Sequence, residues 1–327
     1  MSLQNNGIFD PINHELRADD INETKFDNFL ENLTDVPSSM PLQPFTIDKA
    51  GIVNQDVYVK IRSLFSSQYV SVLCRVSMQV QLVGHRGIHM SRCEEALFQL
   101  INNKYENLED FASELAKEIR KRQDSDVSYV GVEGQYLAKR KTKKSKLTSY
   151  DKIYLAAEVC SSRQKTSVKI GLKASNITGC PCTETYTKFS IIPALKKQGF
   201  SLEQIKKILN TTKSGTHTQR GLSTIYVDKN SRNVNHKTLY EILDKSCHLI
   251  FELLKRPDEH ELVLRALTKP QFTEDVVREI VGNTLSVLGN LPDHTRLSAT
   301  SLLYDSIHIH DVYTKIDRTI GELKKEV

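Results

Sequence analysis

Five short segments of the chain concentrate thiol, imidazole and carboxylate groups. The first is Gly179-Cys180-Pro181-Cys182. Proline between two cysteines reads as an extended turn, because it is excluded from helix interiors. Thiols at i and i+2 of a strand point to opposite faces, so the pair is not expected to grip one metal ion together. One can ligate while the other does something else; two small buried residues at a strand end is the plain alternative. The second, Thr216-His217-Thr218-Gln219-Arg220-Gly221, sets a histidine among hydroxyls, an amide and a guanidinium. That is not a core-like setting, although a lone histidine is more often structural than a ligand. The third, Arg256-Pro257-Asp258-Glu259-His260, falls between two helical patterns. There Asp258 reads as a helix N-cap, and acidic residues suit a helix start for electrostatic reasons alone. The fourth is Ser306-Ile307-His308-Ile309-His310. In a strand both imidazoles face one side and both isoleucines the other; the alternative is simply a polar strand face. The fifth, Gly87-Ile88-His89-Met90-Ser91-Arg92, joins a strand to a helix, with Ser91 and Glu94 spaced as a capping box.

One thiolate, one imidazole and one carboxylate can hold a divalent ion while leaving a position for water, whereas structural zinc sites close with four Cys or His ligands. Such an ion lowers the pKa of its water, and neighbouring histidines can move protons. The donor types suit zinc, ferrous iron or manganese.

The elements that position these groups are legible from periodicity. Residues 71–83 alternate apolar and polar, as in a half-buried antiparallel strand, after a shorter strand at 57–61. A helix opens at Ser91, a second covers 108–121, and strands follow at 127–138 and 153–159. A similar series begins at Lys165: a strand around 168–174, helices at 190–199 and 202–210, and a strand at 222–227. Long helices at 237–255 and 273–288 and a last strand at 296–308 complete it. Two strands, two helices and two strands recur, which indicates two related α+β halves meeting near residue 162.

Composition excludes several classes. No apolar run approaches the roughly 20 residues of a membrane span. The first twenty residues lack a basic stretch followed by an apolar one, so no secretory signal is expected. The six cysteines, two of them one residue apart, read as reduced, which points to the cytoplasm. The net charge of +5 suits an anionic small substrate but is mild for a nucleic-acid binder. A metal-stabilised nucleic-acid module would need paired CxxC ligands or an aromatic-studded basic face; the first is absent and the chain has no tryptophan. The basic run at 139–146 reads as a solvated loop tip; no glycine-rich cradle accompanies it to make a phosphate loop.

Together, the motifs GIHMSR, GCPC, THTQRG, DEH and SIHIHD, in this order, resemble the GTP cyclohydrolases unrelated to the classical type I enzyme. These are the bacterial type IB enzymes and the archaeal type IV enzymes of methanopterin synthesis. The similarity covers residues 42–315 or so. It implies an α+β chain of tandem tunnelling-fold modules, antiparallel sheets with helices on one side that close into barrels on oligomerisation. A flexible arm at 1–44 would precede modules at 45–162 and 163–327. The resemblance implies Cys180, His217 and Glu259 as ligands of one divalent ion per active site, ferrous iron ahead of zinc or manganese. It implies catalytic roles for Cys182, His308 and His310. Glu274 corresponds to the glutamate that anchors the guanine edge, where a carboxylate can accept two hydrogen bonds; His89 and Arg220 are implied as further substrate contacts.

The implied partners are GTP and further copies of the chain, as a tetramer, with neither nucleic acid nor membrane. The implied reaction is hydrolytic attack at guanine C8, ring opening, release of C8 as formate, and closure to a 7,8-dihydroneopterin phosphate. Between Cys182 and His217 lie 34 residues, longer than in the bacterial type. That favours the archaeal product, a 2′,3′-cyclic phosphate, over the triphosphate. The nearest alternative is another tunnelling-fold enzyme, the nitrile reductase of queuosine synthesis, whose signature Glu184-Thr185-Tyr186-Thr187-Lys188-Phe189 matches only faintly.

Overall fold

Apolar and polar residues alternate through most of the long strands, and that alternation gives the sheet one apolar face. In the computed structural model, which describes residues 35–252 and 255–327, β1 (Ile47–Arg62) and β2 (Tyr69–Leu82) form a hairpin. Then come α1 (Met90–Leu100), the two-residue β3 (Lys104–Tyr105), α2 (Leu108–Arg122) and a second hairpin of β4 (Val127–Lys141) and β5 (Thr148–Ser162). β6 (Thr166–Gly179) leads into three short helices, α3 (Pro181–Ser190), α4 (Ile192–Lys197) and α5 (Leu202–Thr211), before β7 (Thr218–Asp228). The chain continues through α6 (His236–Ser246), β8 (His248–Leu249), α7 (Arg256–Thr268) and α8 (Thr273–Leu288). It closes with β9 (Arg296–Leu303), β10 (Val312–Thr319) and α9 (Ile320–Lys324).

The strands make one sheet in the order β10-β9-β7-β6-β5-β4-β2-β1-β3, with β8 on β6. All pairs are antiparallel except β1 with β3. Val72, Cys74, Val76 and Met78 of β2 are buried under the helices, while Ser77 and Gln79 turn to the open face. Leu108, Phe111, Leu115 and Ile119 follow a helical stripe along α2 and are fully buried against β4 and β5, each worth roughly 2 kcal/mol. In the other half α8 packs on β9 and β10 through Val276, Val277 and Ile280. The result is an α+β fold with a large antiparallel sheet and its helices on one side. Among the described residues no helix is long and apolar enough to cross a membrane.

Residue 162 ends β5, and the β5–β6 ladder, from Ile153↔Ala174 to Ser161↔Thr166, carries the sheet across that boundary. Of the 1–44 arm, residues 1–34 lie outside the described residues. Part of the rest is tied to the body: Arg86 and Gly87 donate backbone N–H groups to Ser39 and Pro37 at 2.9 and 3.1 Å.

Several elements differ from the sequence reading. β1 begins at Ile47, ten residues before the expected strand, with its irregularities absorbed by register shifts against β2. Ser91 is not the cap of α1; His89 holds that position, without a side-chain bond. The helix expected over 237–255 stops at Ser246, because Cys247 turns extended (φ −140°, ψ 165°) and residues 248–249 pair with β6. A new helix starts at Arg256 with Pro257 in its first turn, where the missing N–H costs nothing.

Candidate active site

One end of the sheet gathers the ends of β6, β7 and β9. Gly179 pairs with Thr218 and Gly221 with Leu303, so Cys180, His217 and the segment after Leu303 emerge side by side. Contrary to the sequence reading, GCPC is not an extended turn. Cys180 is the N-cap of α3, and Pro181 sits in the first turn, a place proline tolerates. The Cys180 N–H donates to the His217 carbonyl at 3.2 Å, and Thr216 Oγ1 donates to the Cys180 carbonyl at 2.8 Å. Thr183 Oγ1 donates to Cys180 Sγ at 3.7 Å. Cys182 is exposed and lines an open apolar hollow of about 770 Å³ with Pro181, Tyr186, Phe189 and Phe272.

The His308 segment is also not a strand. β9 stops at Leu303, and Asp305 accepts the backbone N–H groups of Ile307 and His308 at 2.8 and 3.1 Å, which bends the chain back into β10. The two imidazoles still come together, ring centroids 5.2 Å apart and nearly parallel, while Ile307 and Ile309 stand in solvent. Ser306 Oγ lies 3.2 Å from His217 Nδ1, tying this loop to the Cys180–His217 pair. Hydrogen bonding from the Ile307 amide, reinforced by the His308 amide and by the His308 and His217 rings, holds the Asp305 carboxyl below its usual range despite some desolvation. Sequence reasoning missed Asp305 and gave Ser306 no role; a carboxylate two and three residues ahead of the amides it accepts is the legible signal of such a turn.

α8 begins at the same sheet end. Thr273 Oγ1 donates to the Ser301 carbonyl at 3.1 Å, and Gln271 N–H donates to Thr178 Oγ1 at 3.2 Å. Glu274 therefore stands, exposed, on a helix start pinned between β6 and β9. Arg220 points to the open face of β7, while its carbonyl accepts Tyr304 N–H at 2.9 Å. Glu259 is exposed in the first turn of α7, a helix whose Ala266 carbonyl lies against Gly179. Asp258 is not the N-cap expected; Lys255 is, and Asp258 sits three residues in, buried.

His89 is not brought to this end of its own chain. It lies beyond β2's other end, where Gln123 accepts from its N–H and donates to its carbonyl at 3.2 and 2.6 Å. Ser125 there bonds Gln81, next to the Ser128↔Val80 pair. The 14 residues of β6 span about 46 Å, which is the scale of the separation.

Thiol, imidazole and carboxylate are donors that ferrous iron, zinc or manganese accept, and the Cys180–His217 adjacency supplies two of them. Among the described residues no three His, Cys, Asp or Glu side chains converge closely enough to hold an ion. The chemistry of the donor set fits a divalent metal; the third donor, the Glu259 carboxylate, stands apart on α7.

The chain is thus of the α+β class, a large antiparallel sheet with helices on one face that gathers a thiol, an imidazole and a histidine-rich turn at one end. The chain belongs to the family described as type I GTP cyclohydrolase folE2, whose model matches residues 33–314, and it is a hydrolase of that family. It is 29% identical over 306 residues to GTP cyclohydrolase MptA of Methanococcus aeolicus, covering 90% of this chain and 99% of that one. GTP cyclohydrolase MptA 2 of Methanocella arvoryzae is 27% identical with the same coverage. Among solved structures, uricase from Arthrobacter globiformis superimposes with a TM-score of 0.47 at 8% identity, over 86% of this chain and 96% of that one.

Proposed function

We propose that this chain converts GTP to formate and a 7,8-dihydroneopterin 2′,3′-cyclic phosphate. The observation that supports this most is the meeting of Cys180, His217, the Asp305–His310 turn and the Glu274 helix start at one sheet end, in a chain of the folE2 family. Cys180, His217 and Glu259 would hold one divalent ion, ferrous iron ahead of zinc or manganese, with Glu259 contributed from the first turn of α7. Such an ion, when bound, supplies a water acidic enough to ionise near neutral pH.

The remaining roles belong to side chains. Glu274 accepts hydrogen bonds from the guanine N1–H and 2-amino groups, which selects guanine over adenine. His308 and His310, held as a pair by the Asp305 turn, exchange protons with the ring nitrogens as C8 is hydrated and the C8–N9 bond breaks. A second water releases C8 as formate, and closure of the new ring expels one water, so one water is consumed net. Arg220 on the open face offers a cation to the phosphates, Cys182 flanks the reacting base, and His89 reaches the substrate from a second copy of the chain. The 2′-hydroxyl then attacks the α-phosphorus and pyrophosphate leaves.

Anaerobic incubation of the reconstituted protein with GTP, read by mass spectrometry together with formate and pyrophosphate assays, tests this. Formate with pyrophosphate and a cyclic phosphate is the expected result. Formate with an intact triphosphate overturns the product assignment; no formate overturns the activity.

A further inference from the structure

We propose that the β4–β5 hairpin, acting through Asp258, is the device that positions Glu259, which makes Asp258 and Ser145 positioning residues for the reaction. This rests on the reading of Glu259 as a metal ligand.

Asp258 is 3% exposed although its neighbour Glu259 is open to solvent. A helix start asks one bond of a residue at this position, back to the cap, and Asp258 makes it by accepting Lys255 N–H at 3.3 Å. It then accepts three more from the turn at 142–147: Lys144 N–H and Ser145 N–H, both at 3.0 Å, and Ser145 Oγ at 2.5 Å. The turn is braced for this. Thr142 Oγ1 lies 2.7 Å from Ser145 Oγ and accepts Leu147 N–H at 3.1 Å, and Lys146 takes a left-handed φ of 58°.

A second clamp sits lower on the same hairpin. Arg140 of β4 pairs with Asp151 of β5, donates to Tyr240 Oη at 2.5 Å and to the Ile250 carbonyl at 2.8 Å, and lies over the Phe251 ring. Asp151 accepts Glu252 N–H at 2.9 Å. The stretch that delivers α7 is thus held at residues 250–252 and again at 258, both times by a hairpin of the other half of the chain. Glu259 follows the second anchor directly. Partners that orient a metal ligand are commonly worth 10- to 100-fold in metal affinity. The basic run at 139–146 acquires a role in which its backbone amides and Ser145, not its lysine charges, do the holding.

The test uses the full chain. Zn²⁺ affinity is measured by competition with a chromophoric chelator, and the ligand field by the visible absorption of the Co²⁺-loaded protein. Glu259→Ala should lose affinity and change the cobalt spectrum. Asp258→Asn should weaken Zn²⁺ binding about 10- to 100-fold and perturb the same spectrum, with a melting temperature near that of the parent. Ser145→Ala should do so more mildly, Ser145→Thr should recover the parent behaviour, and Lys139→Ala with Lys143→Ala should change nothing. Parent affinity and spectrum in both Asp258→Asn and Ser145→Ala, alongside a damaged Glu259→Ala, overturns the positioning role and leaves the ligand reading intact. Parent behaviour in Glu259→Ala overturns the ligand reading itself, and the proposal with it. If Asp258→Asn fails to fold, Ser145→Ala, which removes a single hydroxyl, decides between the same outcomes.

Discussion

Cys180, His217 and Glu274 reach the same sheet end by different routes, and each route has a testable consequence. Cys180 caps α3 and bonds the His217 carbonyl through its N–H, so replacing its side chain leaves that backbone contact in place. Cys180→Ala and His217→Ala are expected to keep the parent's melting behaviour while losing bound metal and formate release. Retention of one metal per site in both variants would reject them as ligands. Glu274 is exposed, and its helix is anchored by neighbours rather than by itself. Glu274→Gln removes a charged acceptor, and hydrogen bonds to charged groups are worth about 1.5–3 kcal/mol. The expected loss in kcat/KM for GTP is therefore roughly 10- to 150-fold, with metal content unchanged. Loss of metal with intact guanine binding would show the role reversed. Residue types announced this chemistry because thiols, paired imidazoles and a carboxylate at a helix start are poor core material. Asp305 escaped notice because its work, accepting two amides, is common to ordinary turns.

At the scale of elements, the turn after β9 and the β4–β5 hairpin decide what the strands can present. Asp305 accepts the Ile307 and His308 amides, so the turn's shape depends on an acceptor there. Asp305→Ala should misplace His308 and His310, lowering kcat by roughly 10-fold or more, since positioned acid–base groups contribute 10²–10⁴. Guanine binding through Glu274 should persist, so KM should move little. A rise in KM with kcat unchanged would place the loop in binding instead. The carboxyl is held below its usual range, so any stabilisation it lends the turn is present at neutral pH and lost only as pH falls through that depressed value. Periodicity located most strands correctly because one face of the sheet is packed under helices. It failed where local chemistry overrode the pattern: Pro181 starts a helix from its first turn, Cys247 breaks one, and Asp305 ends a strand.

The whole molecule leaves two matters to its surroundings. Among the described residues β10 and most of β1 are open edges, with Phe45, Ile47, Val53, Tyr58 and Tyr313 exposed along or beside them. Open edges of this length invite pairing with another copy. His89 stands at the opposite sheet end from Cys180, so a site using both draws on two chains. We therefore expect a closed homo-oligomer, a tetramer, in light scattering, and complementation between subunits. His89→Ala and His217→Ala, each inactive alone, should recover activity on mixed refolding at about a quarter of the sites, the random fraction in which two intact partners meet. No recovery in verified mixed oligomers would place the site within one chain.

A buried cluster also ties α2 to the chain between β7 and α6. Glu109 of α2 pairs with Lys229 at 2.5 Å, and His236 Nδ1 lies 3.4 Å from Glu109. Burial pushes the His236 pKa down, against the pull of Glu109. Below an unfolded value of about 6.5, the unfolded chain binds the extra proton and the folded one resists it. Stability present above that pH should fall as pH drops, and His236→Gln should flatten the decline. Melting temperatures from pH 8 to 5 in both proteins check this; equal slopes would reject it.

The sequence by itself determined the sheet's apolar face, the place of most of its strands, and which residue types could do chemistry, because each of these is written in local periodicity or composition. Only the tertiary structure decided which of those residues share a sheet end. That depends on antiparallel register summed across eight long strands. A register adds the lengths of every intervening hairpin and helix, a non-local quantity that no segment carries alone. The same sum brings the tip of the β4–β5 hairpin to Asp258, 113 residues along the chain from Ser145, and leaves His89 at the far end.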